Sequence, residues 1–301
     1  MQVQKEHTAE ESPFKFKELK VYNSTEYLWD NLKKYRQVFD RDETSYVYAE
    51  LSLYNKLFDQ DDWTLKVNLK CFSVKGKKKT EVCNIDVEKE VSKYDSIIYI
   101  REGWGNQKES SFWKRGNYCW ETYVDGTKVG SKFFYVIEQS NPMEDDFGNE
   151  KSPYLELQTL RLYEGPHDDM IKEDRKYLNA FNHKEARYIY LELELRNTQP
   201  HHRWYLELFV KFYNHAKELK GQVVRLIEVK TGQEIIELST GWGTATPNLW
   251  RPDRYTAEVV FMDTLLATVP FTVESENIEG PPLVYLPQQD LPIILAPEQD
   301  D

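Results

Sequence analysis

The chain is short of the residues that mark several common classes of protein. It has three cysteines in 301 residues, Cys71, Cys83 and Cys119, without the CxxC spacing of a zinc site or the even count of a disulfide framework. Glycine and proline, at 13 each, are too few for a collagen-like or low-complexity chain. These counts favour a globular cytosolic protein with reduced, half-buried thiols.

Long apolar runs and positive charge are also missing. No stretch approaches the length of a transmembrane helix, and residues 1–14 are polar where a secretion signal would be apolar. The formal net charge is −12, which repels phosphate, and the dense basic run at 75–79 has the setting of a solvated hairpin tip. We therefore predict a cytoplasmic protein that binds neither nucleic acid nor membrane.

Catalytic motifs are absent as well. The sequence contains no GxSxG and no GxxxxGK[ST]. His167, His183 and the adjacent His201 and His202 fall between predicted strands, where solvated loop histidines are a better interpretation than metal ligands. A pair of carboxylates for glycoside hydrolysis stays open on spacing alone. We predict no enzymatic activity, no metal and no cofactor.

Aromatic residues are abundant instead, at 14%, and they reveal an internal repeat. The tripeptide Gly-Trp-Gly occurs at 103–105 and again at 241–243. Residues 46–55 match 188–197 at an offset of 142. Further pairs lie 137 positions apart, namely Trp113 and Trp250, Tyr118 and Tyr255, Glu121 and Glu258, Phe134 and Phe271, and Val136 and Val273. Ordered matches whose offset changes only between blocks indicate a tandem duplication.

Each repeat has the apolar–polar alternation of half-buried strands. The predicted strands cover 46–54, 63–72, 97–100, 116–124 and 128–136, with counterparts at 188–195, 204–212 and 234–238. Asp125-Gly126 is a strong hairpin turn signal. Short strands separated by turns predict an immunoglobulin-like β-sandwich, with Tyr118 and Tyr255 near the start of the penultimate strand. Helical spacing of apolar residues at 27–39, and a weaker pattern at 168–181, predict one short helix in each repeat.

The expected fold is therefore all-β, with two tandem immunoglobulin-like sandwiches from an internal duplication. The first covers 12–138 and the second 152–277, joined by a polar, acidic linker at 139–151. A proline-rich, apolar and acidic tail occupies 278–301 and cannot form a continuous helix.

The tail is the best candidate for an interaction element. Apolar side chains held extended by prolines suit a groove or a sheet edge. The candidate residues are Leu283, Tyr285, Leu286, Leu291, Ile293 and Ile294. The alternative is that the tail packs over its own second domain.

The repeat signature is expected to be structural. Trp104 and Trp242 would plug one end of each sandwich, and the flanking glycines would permit a tight backbone. The residues of this signature are Gly103, Trp104, Gly105, Trp113, Tyr118, Gly241, Trp242, Gly243, Trp250 and Tyr255. If these or other aromatics are exposed, they could instead stack on carbohydrate.

The order of strand, Gly-Trp-Gly and a hairpin carrying Trp, Tyr and Glu resembles the N-terminal regions of some bacterial AAA+ ATPases of the sporulation or Rubisco-activase-like kind. It is carried by residues 46–51, 103–105 and 113–135 with their second-repeat partners, and spans most of 12–273. The resemblance implies a recognition region, and the missing GxxxxGK[ST] leaves no ATP site of that type.

The predicted function is a non-catalytic protein-interaction or adaptor module, possibly the recognition part of an ATPase-linked system. The alternative is a tandem sandwich that binds carbohydrate or a small ligand through exposed aromatics. Exposed edge strands also permit a homo-oligomer.

Overall fold

The computed structural model describes residues 12–25, 33–138, 154–287 and 295. Contacts between residues divide the chain into two compact units, Met1–Glu138 and Gln139–Asp301. Within the described ranges the regular structure consists of β-strands and one three-residue 3-10 turn, with no α-helix. No helix in these ranges is long and apolar enough to cross a membrane.

The first unit is a two-layer β-sandwich. Its strands are β1 (Phe14–Ser24), β2 (Val38–Asp40), β3 (Tyr46–Asn55), β4 (Trp63–Lys75), β5 (Lys78–Val91), β6 (Ile97–Gly105), β7 (Gly116–Val124) and β8 (Thr127–Ile137). One sheet has the order β1-β3-β6 and the other β2-β8-β7-β4-β5. Only β2, which lies parallel to β8, departs from antiparallel pairing. Inward-facing residues of both sheets form one hydrophobic cluster.

The second unit repeats this strand order. It contains β9 (Leu155–Gly165), β10 (Leu178–Asn182), β11 (Tyr188–Asn197), β12 (Trp204–Asn214), β13 (Leu219–Val229), β14 (Ile235–Gly243), β15 (Asp253–Phe261), β16 (Thr264–Glu274) and β17 (Ile278–Glu279). The sheets have the orders β9-β11-β14 and β13-β12-β15-β16-β10-β17. Strand β10 lies parallel to β16, as β2 does to β8, and β17 adds one strand beyond β10.

The closing hairpin has the same turn in both units. Asp125 and Gly126 have φ of 48° and 77°, and Met262 and Asp263 have φ of 45° and 66°. Two successive residues with positive φ suit the right-handed twist of the flanking strands. The turn predicted from Asp-Gly is therefore also present in the second unit, where the sequence carries no glycine.

The predicted helices are not found among the described residues. Phe39 lies in β2 and residues 33–37 before it are irregular, while residues 26–32 fall outside the described ranges. In the second unit the range 168–181 contains only the 3-10 turn Lys172–Asp174 before β10 begins. Phe39 packs edge-on against Phe134 of β8, and Phe181 packs edge-on against Phe271 of β16. Pairing with β8 and β16 therefore makes these segments strands, although their apolar residues have helical spacing.

Candidate functional site

The Gly-Trp-Gly tripeptides end β6 and β14. The end of β6 pairs with the start of β3, and the end of β14 pairs with the start of β11. A Cβ atom at Gly103 would lie 2.6 Å from the ring of Tyr48, and one at Gly241 would lie 2.5 Å from the ring of Tyr190. The first glycine of each tripeptide is therefore required because a tyrosine ring covers its backbone.

The tryptophan of the tripeptide differs between the units. Trp242 is half-buried, stacks on Phe212 with ring centroids 6.1 Å apart, and meets Trp250 edge-on at 5.1 Å. It fits there because Gly221 lies beneath it, where a Cβ atom would come within 2.2 Å of the indole. Trp104 is 38% exposed, so the prediction that it plugs the sandwich is wrong.

The strand register explains this difference. Phe212 lies opposite Gly221 in the second unit, and Cys71 lies opposite Cys83 at the corresponding place in the first. The first unit therefore has a side chain at the position where the second has the bare glycine that receives its tryptophan.

The remaining tryptophan and tyrosine of the signature make the same hydrogen bonds in both units. Trp113 is 1% exposed, and its indole Nε1 donates to the carbonyl of Ser45 at 3.0 Å. The hydroxyl of Tyr118 donates to the carbonyl of Lys114 at 2.8 Å. The second unit has the same bonds, from Trp250 to Arg187 at 3.2 Å and from Tyr255 to Arg251 at 3.0 Å.

Sequence reasoning missed an asparagine that makes the same contacts in each unit. The Oδ1 atom of Asn55 accepts hydrogen bonds from the indole of Trp63 at 3.2 Å and from the backbone amide of Leu57 at 3.0 Å. Asn197 accepts from Trp204 at 3.3 Å and from Gln199 at 2.9 Å. Both asparagines end the matched blocks 46–55 and 188–197, so the repeat already contained the signal that could have found them.

A buried carboxylate on the small sheet of each unit was also missed. Glu50 is 3% exposed and accepts hydrogen bonds from Lys33 at 3.0 Å, Tyr35 at 2.8 Å and Arg101 at 2.6 Å. Burial acts to raise the pKa of Glu50, but these hydrogen bonds outweigh it and hold the pKa below its usual value.

Glu192 occupies the same place in the second unit. It accepts a hydrogen bond from the hydroxyl of Tyr177 at 3.0 Å and forms an ion pair with Arg175. Each carboxylate thus ties the segment that precedes β2 or β10 to the three-stranded sheet of its unit. Because their oxygens already have charged donors, this arrangement is one of structural support.

Among the described residues, the basic run and the cysteines lie in the first unit and the histidines lie in the second. Lys79 forms an ion pair with Glu121 on the large sheet of the first unit. His167 lies 3.0 Å from the hydroxyl of Tyr188, through its Nδ1 atom. The described residues contain no group of His, Cys, Asp and Glu arranged to hold a metal ion. The three thiols are free and buried, where the sequence predicted half-burial.

Among the described residues, the tail packs on its own unit. Val284 is 0% exposed, and its neighbour Tyr285 exchanges two backbone hydrogen bonds of 2.8 and 2.9 Å with Thr268 of β16. The alternate residues Leu283 and Tyr285 are exposed, at 46% and 37%, and Leu286 is half-buried. The other predicted interaction residues, Leu291, Ile293 and Ile294, lie outside the described residues.

A groove of about 690 Å³ separates the tail from the outer face of the large sheet in the second unit. Its lining combines apolar surface from Pro270, Pro281 and Leu283 with the cationic side chains of Lys217 and Arg254. The groove is therefore positive and apolar together, in a chain whose net charge is −12.

A hydrogen bond holds His215 of the groove wall to a neighbouring carboxylate. The Nδ1 atom of His215 lies 2.8 Å from a carboxylate oxygen of Asp253, and this hydrogen bond lowers the pKa of Asp253 below its usual value. We take this groove, with Leu283 on its rim, as the candidate functional site.

No protein-family model matches the sequence, and no curated protein matches it significantly. Among the solved structures that match is the Pseudomonas fluorescens alkylpurine DNA glycosylase AlkC bound to DNA containing an abasic site analogue. That match is 14% identical, has a TM-score of 0.25, and covers 42% of this chain and 30% of the glycosylase chain. A likeness of this size carries no argument about function.

Proposed function

We propose that the chain is a cytoplasmic, non-catalytic protein-interaction or adaptor module. It consists of two tandem immunoglobulin-like domains that arose by internal duplication. The common strand order of the two units supports this origin. So do the matched indole-to-carbonyl and tyrosine-to-carbonyl bonds, which a copied fold would retain at corresponding positions.

The binding site of this module is the groove of the second unit. The observation that carries the proposal is that the cationic residues Lys217 and Arg254 line the same groove as the exposed apolar side chain of Leu283. An extended peptide with alternating apolar and acidic side chains would satisfy both properties at once.

The partner we propose is a protein, and an ATPase-linked one. The resemblance of the repeat pattern to N-terminal regions of bacterial AAA+ ATPases supports a recognition role beside such a motor. The net charge of −12 disfavours a nucleic acid or an anionic membrane as the partner.

Affinity capture with charge-reversed variants tests the groove. The full-length chain and its K217E/R254E variant serve as baits in bacterial cytosolic extract, and captured proteins are quantified by mass spectrometry. We expect a specific protein on the wild-type bait that falls at least about tenfold on the variant, since each lost charge-assisted contact costs roughly 1 kcal/mol or more.

The matched control is K66E, which reverses an exposed lysine lining a groove on the first unit. Equal capture by K217E/R254E and wild type would place the contact outside the groove. Absence of any specific protein on the wild-type bait would contradict the interaction function itself.

The alternative of carbohydrate or small-ligand binding is favoured by one observation. Trp104 is 38% exposed, whereas its counterpart Trp242 packs against Trp250. An exposed indole face can stack on a sugar ring. On a glycan array, this alternative predicts a bound glycan whose signal W104A abolishes and W242A retains, with folding of both variants checked by circular dichroism.

A further inference from the structure

Two of the three cysteines face each other across a strand pair. In the register of β4 and β5, Cys71 lies directly opposite Cys83, and both belong to the core cluster of the first unit. Directly opposite residues in an antiparallel pair have Cα atoms about 4.5 to 5.5 Å apart. A disulfide needs a Cα separation of roughly 4.4 to 6.8 Å, which includes this range. The register shifts between Cys71 and Phe72, so the pair lies directly beside a β-bulge.

The two thiols have different environments. A hydrogen bond from the thiol of Cys71 lowers the pKa of Cys83, whereas burial raises the pKa of Cys71. Cys83 also lies on an edge strand, since β5 pairs only with β4 among the described residues. It is 5% exposed, against 0% for Cys71. The geometry makes Cys83 the attacking thiol and Cys71 the resolving one.

The third cysteine is set apart from this pair. Cys119 lies opposite Phe72 in the register of β4 and β7, and it is not a member of the core cluster. Burial raises the pKa of its thiol. We therefore expect Cys119 to remain a thiol while the other two react.

The fold itself does not require this pair. At the corresponding place in the second unit, Phe212 lies opposite Gly221 and the same strand pairing is kept. The cysteine pair is thus a property of the first unit alone. It stands where the second unit has Phe212 and Gly221, against which Trp242 packs.

We propose that Cys71 and Cys83 are a site of reversible oxidation, forming a cross-strand disulfide when the protein meets a hydroperoxide. The thiolate of Cys83 attacks the terminal oxygen of the hydroperoxide and is oxidised to a sulfenic acid. The leaving group is an alcohol, or water when the oxidant is hydrogen peroxide. The sulfur of Cys71 then attacks the sulfenic sulfur and water leaves. In sum, two thiols and one hydroperoxide give one disulfide, one alcohol and one water.

Thiol counting and peptide mapping on the full-length protein test this proposal. The protein is treated with hydrogen peroxide, quenched and unfolded, and its free thiols are counted with a chromogenic aryl disulfide. We expect the count to fall from three to one and to return to three after dithiothreitol. Mapping without reductant should recover peptides joined through Cys71 and Cys83, two hydrogen atoms lighter than their sum.

Three single variants make the assignment specific. C119S should go from two thiols to none with the same linked peptides. C71S should give a sulfenic acid at Cys83 that dimedone traps, and C83S should give no dimedone adduct at Cys71. Circular dichroism before treatment selects variants that keep the strand signal, and C119S tests the pair even if one of the others fails to fold.

Three results would overturn the proposal. The first is a disulfide that includes Cys119. The second is a disulfide between two molecules in place of the intramolecular one. The third is retention of all three thiols by the wild-type protein in excess peroxide under conditions that oxidise a free cysteine control completely.

Discussion

At the scale of single residues, one asparagine in each unit holds together a strand end and the next strand. Asn197 is 4% exposed, and both polar atoms of its amide form hydrogen bonds. Its Oδ1 accepts bonds from Trp204 and Gln199, and its Nδ2 donates to the carbonyl of Gln233 at 2.6 Å. Without this side chain, these three partners would lose their hydrogen bonds, so the asparagine is a source of stability.

We expect Asn197→Ala to lower the free energy of unfolding by about 2–4 kcal/mol, because it leaves a buried indole N–H, an amide N–H and a carbonyl without their partner. Asn106→Ala, at an exposed residue with one bond of 3.4 Å, should change it by less than about 0.5 kcal/mol. Urea unfolding followed by tryptophan fluorescence measures both. Equal effects of the two substitutions would contradict the role given to Asn197.

A second residue, Glu121, predicts how stability depends on pH. It is 5% exposed and accepts hydrogen bonds of 2.6 Å from both Lys128 and Tyr123. Burial acts to raise its pKa, but hydrogen bonds from Lys128, Lys79 and Tyr123 outweigh it and lower the pKa from 4.5 to about 2. Because the folded pKa is the lower one, the stabilisation is present above about pH 4.5 and is lost as pH falls toward 2.

The prediction is that Glu121→Gln removes at most about 3 kcal/mol at neutral pH and flattens the fall in stability below pH 4.5. Its matched control is Glu258→Gln at the corresponding position of the second unit, where the described residues show no ion pair to Glu258. Denaturant unfolding at a series of pH values measures both variants. A wild-type fall in stability that persists unchanged in Glu121→Gln would contradict this assignment.

At the scale of elements, the Gly-Trp-Gly tripeptide sets how two strands meet. The last glycine pairs with the first residue of the adjacent strand, and a Cβ atom at Gly243 would lie 2.0 Å from the carbonyl oxygen of Arg187. The same carbonyl accepts the indole hydrogen bond of Trp250. A side chain at Gly243 would therefore disturb both the strand pairing and the buried tryptophan.

We expect Gly243→Ala to cost about 3 kcal/mol or more, since backbone atoms cannot move away as a flexible side chain could. Gly116→Ala is the control within a strand, because a Cβ atom there would meet its nearest neighbour at 3.7 Å, and it should be nearly neutral. Thermal unfolding by circular dichroism compares the two. A Gly243→Ala protein as stable as Gly116→Ala would remove the steric explanation of the motif.

Sequence alternation predicted the central strands better than the edges. Every second residue from Val47 to Leu53 in β3, and from Ile189 to Leu195 in β11, is an apolar residue with 0% exposure, so a period of two marks these strands. Strand β13 was not predicted, because it is an edge strand that exposes Leu219, Val224 and Leu226 and its apolar residues do not alternate. The spacing of apolar residues at 27–39 predicted a helix with Phe39 facing the core. Phe39 does lie in the core, but as a residue of strand β2.

The candidate site was only partly predictable for a related reason. The extended tail with Leu283 on it follows from its prolines and apolar residues. The partners that make a groove of it, Lys217 and Arg254, lie in a turn and a strand remote in sequence. No local pattern brings such residues together, since only the pairing of β12, β15 and β16 does so.

At the scale of the whole molecule, the chain is two units that each have their own pair of sheets. Sandwiches of this size bury enough apolar surface to fold alone. The tail belongs to the second of them, because Val284 is 0% exposed and Tyr285 extends the pairing of β16 through Thr268. Removing the tail therefore changes the stability of a unit as well as its binding surface.

We predict that separate fragments 1–138 and 139–301 each unfold in one cooperative transition, and that fragment 139–277 is less stable than 139–301 by about 2–4 kcal/mol. Loss of one buried valine accounts for roughly 1.5–3 kcal/mol of this, and the two backbone hydrogen bonds for most of the rest. Val284→Ala in 139–301 should reproduce about half of the loss, whereas Leu283→Ala, at an exposed site, should reproduce little of it. Calorimetry of the five proteins measures these transitions and differences, and a 139–277 fragment as stable as 139–301 would show that the tail contributes nothing to the fold it covers.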